Sequence, residues 1–263
     1  MYKRYILSTV FLSIVSLNFF GEQNLGSDTF QVRGINVEKV DENSDFRKWL
    51  DEMHQKYPTL GLDKVVFVHR IDQLGQLGWG SIKNTDIVIC PRNIEQNDIG
   101  LQEFCLLHEL GHIKNANNSL LIKINNSLAT GPVIRATIIG STIYIYKTYI
   151  KDRDWSLLKR IAAVVAIVLC KACVATKLRF WIFTLDEKYA DKFANQNGDY
   201  NCLQAGLKFF KERSWYPRSI LEILGHPRLS DQDKSNLLYD VHPHSIDRAK
   251  ETEQAIQNRF NFN

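Results

Sequence analysis

Apolar positions along the chain fall into stretches of different period, and each period predicts an element. From Asp45 to Tyr57 the residues Phe46, Trp49, Leu50, Met53 and Tyr57 recur at i, i+3, i+4, i+7 and i+11, the stripe of an amphipathic helix that Pro58 ends. His54 points off that stripe and reads as a surface residue. Lys64 to His69 and Asp86 to Cys90 are short β-branched runs bounded by turn residues, so they predict strands. Between them Gly75, Gly78 and Gly80 bracket Trp79. The second strand is expected at a sheet edge, where an extended peptide could pair with it. Ile99 to Leu110 returns to helical spacing, and the polar run Asn115 to Ser119 closes that helix.

Two longer apolar stretches follow, Thr130 to Ile150 and Ile161 to Phe183, separated by the charged segment Lys151 to Arg160. Each is long enough to cross a bilayer. Arg135 and Lys147 flank the first, while Lys171, Lys177 and Arg179 interrupt the second. A central Lys costs about 2.5–3.5 kcal/mol on insertion, which a dozen or so apolar neighbours offset. Trp155 and Trp181 bracket the second stretch, and Tyr144, Tyr146 and Tyr149 crowd the end of the first, as interfacial aromatics do. The pattern predicts a membrane hairpin. The alternative is a buried helical hairpin of a soluble domain.

Residues 1–20 carry Lys3 and Arg4 ahead of an apolar run, Tyr5 to Phe20. The positions before Gly21 make a poor small-residue cleavage site, which favours an uncleaved anchor over a removed signal. Residues 21–44 read as a polar linker. Beyond the hairpin, Cys202 to Phe210, Ile220 to Leu224 and Asp231 to Tyr239 carry short amphipathic runs, and Ile246 to Phe260 predicts a last helix.

At 263 residues and 30.4 kDa the chain holds one full-sized domain, here assigned to 45–260 and interrupted by the hairpin at 130–183. The formal charge of +4 and pI near 8.7 are mild, and no dense Lys/Arg block points to nucleic acid. Five cysteines at 90, 105, 170, 173 and 202 form no disulfide framework. Cys170 and Cys173 have redox-pair spacing, but in an apolar helical run they read as buried small hydrophobes.

The candidate chemistry centres on His108-Glu109-Leu110-Gly111-His112, an H-E-x-x-H at the end of an apolar helix. On a helix the two histidines share one face, one turn apart, and both imidazoles reach one ion. Glu109 is offset by roughly 100°, beside the metal, where it polarises a bound water. Unpaired His and Glu are costly on a buried helix, which argues for a metal and against two surface histidines. Zinc bound by two histidines needs a third protein ligand and an open position. Glu187 is the outstanding candidate. In Glu187-x-x-Ala190-Asp191 the two acids stand one helical turn apart, so one can bind zinc while the other orients a ligand histidine.

These residues resemble a family, the membrane-associated M48 zinc metallopeptidases, which include the HtpX-type proteases and the CAAX-prenyl endopeptidases. Three elements match in order: the H-E-x-x-H, the E-x-x-A-D, and His242-Pro243-His244-Ser245-Ile246-Asp247-Arg248, which is similar to the family's H-P-x-x-x-x-R. The resemblance covers roughly residues 45–260. It implies that His108, His112 and Glu187 hold one Zn2+ per chain, with Glu109 as general base. It also implies that His242 helps hold the oxyanion and that Arg248 is a supporting salt-bridge partner. His226-Pro227 imitates the third element without an Arg at the same offset, since position 232 is Gln, and His226 reads as a loop residue. His244 is expected to be exposed.

The expected fold is α+β, a mostly helical zincin-type domain with a small, mostly antiparallel sheet and an inserted hairpin. The expected function is zinc-dependent hydrolysis of peptide bonds in protein or peptide substrates, including membrane proteins, with lipid as a second partner. A non-catalytic zinc-binding membrane scaffold and a soluble zinc peptidase are the alternatives. Lys3 and Arg4, together with the basic loop at 151–160, place those two regions on the cytoplasmic side and the catalytic residues on the other. HtpX resemblance implies the opposite orientation.

Overall fold

The β-branched runs pair into a sheet. The computed structural model describes residues 23–24, 29–32, 35–71, 79–82, 85–91, 99–119, 139–213 and 243–260. Six strands form one sheet: β1 (Gln23–Asn24), β2 (Thr29–Val32), β3 (Ile35–Lys39), β4 (Val66–Arg70), β5 (Gly80–Ile82) and β6 (Ile87–Ile89), in the spatial order β1-β2-β3-β4-β6-β5. Segment 21–44, read above as a linker, therefore supplies three strands. Val32 and Val37 are its buried anchors, too few to show as a run in so polar a stretch. The sheet is mixed: β4 and β6 run parallel with Phe67 opposite Val88, and the other four pairings are antiparallel. β6 is also not an edge, because β5 pairs along its outer side with Ser81 opposite Val88.

Helix α1 (Asp45–Lys56) lays its stripe on one face of this sheet. The Ser44 hydroxyl caps it by accepting from Arg47 N–H at 3.1 Å. Phe46, Trp49, Leu50 and Met53 are buried against Phe67 and Val88, while His54 is exposed as expected. Val32, Val37, Val68, Ile82 and Ile87 form a smaller apolar cluster of the sheet. Tyr57 and Lys56 then tie α1 to the helical layer. Both donate to the Glu103 carboxylate, and Lys56 Nζ also reaches Asp199 at 2.6 Å.

Helix α2 (Ile99–Asn118) is the central element. Phe104, Leu106, Leu107, Leu110 and Ile113 bury it on several sides, as a helix apolar all round requires. It packs against the C-terminal part of α3 (Leu157–Asn197), against α4 (Tyr200–Glu212), and at one point against β5, while α5 (Ser245–Phe260) covers α4. The result is α+β, mostly helical with a small mixed sheet.

The hairpin differs from its expected bounds. Its second arm is part of α3, an unbroken helix of 41 residues that begins inside the charged segment and ends fourteen residues past Phe183. Residues 139–145 are helical and lead into a π-helical turn, Tyr146–Ile150. Lys171 Nζ bonds the Ser141 hydroxyl across the two arms at 2.7 Å. The apolar side chains of the arm are not core. Leu157 is 74 % exposed, Leu158 77 % and Val174 66 %, and Cys170 and Cys173 are exposed with them. The second arm is therefore not packed as core in this structure, and these two cysteines are exposed rather than buried. Among the described residues α3 is one helix long and apolar enough to cross a membrane. The expected anchor at 1–20, the start of the first arm, and the runs at 220–224 and 231–239 lie outside the described residues.

Candidate metal centre

The site forms where α2 crosses α3, and a glycine sets the distance. A Cβ placed on Gly111 would stand 2.7 Å from the Ala190 Cα and 3.1 Å from its carbonyl oxygen, so the two backbones touch. Ala190 is fully buried at that contact. A variable letter of the first motif and the fixed alanine of the second thus have a structural reason. Gly111 and Ala190 let His108 and His112 on one helix reach Glu187 and Asp191 on the other.

Glu187 faces both histidines. His108 Nε2 lies 3.3 Å from Glu187 Oε2, His112 Nε2 lies 3.4 Å from Oε1, and the two Nε2 atoms are 3.2 Å apart. The rings stand nearly perpendicular, at 89°. Glu109 is buried, with a carboxylate oxygen within 4.8 Å of a ring nitrogen of each histidine. The group His108, Glu109 and His112 could hold a metal ion, and Glu187 stands beside it as a further donor.

The outer ring nitrogens are turned to other carboxylates. His108 Nδ1 bonds Asp191 Oδ1 at 3.0 Å, and the same oxygen accepts from Arg248 Nη2 at 2.6 Å. Arg248 in turn lies over the Phe210 ring, 4.3 Å from its centroid. His112 Nδ1 lies 3.0 Å from Asp186 Oδ2, while Asp186 Oδ1 accepts from Asn115 Nδ2 at 2.7 Å. The sequence reading missed Asp186 and Asn115. The signal was present in their spacing, since Asp186 adjoins Glu187 and Asn115 lies three residues past His112, but acids and amides at such offsets are common on solvated faces.

Four buried carboxylates, those of Glu109, Asp186, Glu187 and Asp191, meet here, and Arg248 is the guanidinium paired with them. Such a cluster attracts cations strongly. His108 records this. Burial alone pushes its imidazolium down, but the bonds to Asp191 and Glu187 and the charge of Glu109 outweigh it and carry its pKa up to about 10. Burial likewise pushes the Asp191 carboxyl up, yet His108 and Arg248 bring it below the usual range.

Of the seven expected site residues, the structure brings together six: His108, Glu109, His112, Glu187, Asp191 and Arg248. His242 and His226 lie outside the described residues. His244 is half-buried rather than exposed, because its Nδ1 accepts from the Ile246 N–H at 3.2 Å at the start of α5. Comparison of the chain with protein-family models, curated proteins and solved structures returns no match.

Proposed function

We propose that this chain is a zinc-dependent metalloendopeptidase of the M48, zincin-like type, acting on protein substrates at a membrane surface. The observation that carries the reading is a triangle of donor groups: the His108 and His112 Nε2 atoms are 3.2 Å apart, Glu187 Oε2 is 3.3 Å from the first and Glu187 Oε1 is 3.4 Å from the second. Ligand atoms about 2.0–2.2 Å from a tetrahedral ion would stand about 3.3–3.6 Å from one another, so these separations are close to what one bound zinc would need. With both Nδ1 atoms near carboxylates, the two Nε2 atoms and the Glu187 carboxylate are the groups that would turn to a bound cation, which would take the place of the proton that the acids hold on His108.

His108, His112 and Glu187 would hold the zinc, which would supply Lewis-acid chemistry: polarising a carbonyl and lowering the pKa of a water. Glu109 takes the proton from the attacking water and delivers it to the leaving amine. Asp191, backed by Arg248, holds the His108 ring. His242 donates to the oxyanion in the role that the family resemblance assigns it. A substrate strand adds to the outer side of β5, which lies against α2.

Residues 157–180 supply the membrane contact. Their helical rise of about 36 Å exceeds the hydrocarbon thickness of about 30 Å. With the apolar segment at 5–20 and the first arm they make a multi-pass topology, the catalytic residues facing the non-cytoplasmic side by the charge of the loops. Glu187 follows Trp181 by about 9 Å of helix rise, which suits membrane proteins and membrane-proximal peptides as substrates.

The test is Glu109→Gln in the full chain purified in detergent. Near-isosteric Gln cannot take the water's proton, so zinc should stay at one equivalent while casein hydrolysis falls by about 10²–10⁴-fold. A variant as active as wild type, or a zinc-loaded wild type that cleaves neither casein nor a membrane-protein substrate, overturns the reading.

A further inference from the structure

The two histidines differ in what holds their outer nitrogens. Asp191 is shared between His108 and the Arg248 guanidinium. Asp186 has a neutral amide, Asn115, as its other partner and stands beside His112. His112 Nδ1 is buried and makes no aligned hydrogen bond, although Asp186 Oδ2 is only 3.0 Å away. A small rotation of the ring completes that bond and swings Nε2 without breaking the contact to Asn115.

The placement has a helical logic. Asp186 and Glu187 are consecutive on α3, so their side chains leave the helix roughly 100° apart. Glu187 reaches the inner nitrogens, and Asp186 passes outside His112 to its Nδ1. Asn115 lies one turn beyond His112 on α2, where it meets the far oxygen of the same carboxylate. Asp186 and Asn115 are both buried. A buried carboxylate needs such donors to be tolerated, and here they are a histidine and an amide from one helix.

We propose that Asp186, fixed by Asn115, is the positioning residue for His112. It keeps the proton on Nδ1 and leaves the Nε2 lone pair facing His108 and Glu187. The inference rests on the zinc reading above. A carboxylate partner on the outer nitrogen fixes tautomer and ring orientation and raises ligand basicity, at a cost of about 10–100-fold in metal affinity when removed. In sequence the site then reads H-E-x-x-H-x-x-N with D-E-x-x-x-D, each histidine having its own acid on α3.

Zinc affinity measured by competition with a chelating indicator, on the detergent-purified full chain, tests this without any turnover. Asp186→Ala should bind zinc about 10–100-fold more weakly than wild type. Asp186→Asn keeps an oxygen that accepts from Nδ1–H, so it should recover a large part of that loss. The visible spectrum of the cobalt-substituted protein should be altered in the alanine variant and close to wild type in the asparagine one. Asn115→Ala, which removes only the amide, should weaken zinc several-fold with the helical circular dichroism unchanged, and it guards against an Asp186→Ala that fails to fold. Affinity in Asp186→Ala and Asn115→Ala within about twofold of wild type overturns the assignment, and so does an Asp186→Asn as weak as the alanine variant. A wild-type chain that binds no zinc overturns both this inference and the function on which it rests.

Discussion

Within α3 the relation between polarity and burial reverses from one end to the other. Over residues 157–180 the side chains are mainly apolar and many are exposed, Leu158 and Val174 among them. Over the last turns Asp186, Glu187, Asp191 and Asn195 are polar and buried, Asp191 at 1 % exposure. Each end departs from the usual pattern of apolar side chains inside and polar ones outside. The first leaves apolar area unburied, at about 25 cal/mol per Å² of forgone stabilisation. The second would bury several charges at a cost of several kcal/mol each were they not paired with His108, His112, Asn115 and Arg248. One unbroken helix thus joins an exposed apolar region, long and apolar enough to cross a membrane, to buried acids beside a group that could hold a metal ion. No hinge residue intervenes to uncouple them.

The comparison can be broken by substitutions that act at one end only. Glu187→Ala removes a donor from the triangle and should lower zinc affinity by more than the roughly 10–100-fold that an outer partner costs, leaving extraction from membranes unchanged. Dialysis followed by metal analysis checks it, and stoichiometric zinc retained through dialysis rules out Glu187 as a ligand. Val174→Asp is the mirror image. It adds an insertion cost of about 2.5–3.5 kcal/mol, so the protein should shift toward the soluble fraction in flotation while zinc affinity stays within about twofold. If the aspartate variant floats as wild type does, lipid is not what covers that face.

Glycines sharpen the same contrast. At Gly111 a methyl meets the Ala190 backbone, so Gly111→Ala should cost about 1–3 kcal/mol and weaken zinc by forcing the helices apart. At Gly140, on the exposed arm, nothing lies within 4 Å of a built Cβ, and Gly140→Ala should be neutral or stabilise by about 0.5–1 kcal/mol. Thermal melts of the two variants should move in opposite directions, and a common direction would mean that the crossing is looser than the contact at Ala190 implies.

A further effect of modest size lies just past the end of α3. Asp199 caps α4 by accepting from Cys202 N–H at 2.8 Å and pairs with Lys56. Burial pushes its carboxyl up, but these partners outweigh that and hold it below the ordinary Asp range. Its contribution is therefore present above the unfolded-state value and lost as pH falls through the lower folded one. Asp199→Ala should cost about 1 kcal/mol near neutral pH, and its melting gap from wild type should close in strong acid. A gap that persists below about pH 3 would assign the loss to packing instead.

What the sequence determined by itself was local. The stripe from Phe46 to Tyr57, the β-branched runs behind β4 and β6, and the histidine spacing on α2 are all legible, because period and motif depend on neighbours within a few residues. The acids at Glu187 and Asp191 were legible for the same reason. Tertiary structure alone decided the rest. Strands β1, β2 and β3 formed because β4 offered β3 a partner about thirty residues away, and β5 took the edge by closing on β6 from outside. Lys177 and Arg179 looked like breaks in an apolar run, yet charge does not interrupt an α-helix, and α3 passes through them to the site. Asp186 and Asn115 carried no distinguishing pattern. They became a pair because Gly111 and Ala190 let two backbones touch, and a contact between helices some eighty residues apart in the chain has no period from which it could be read.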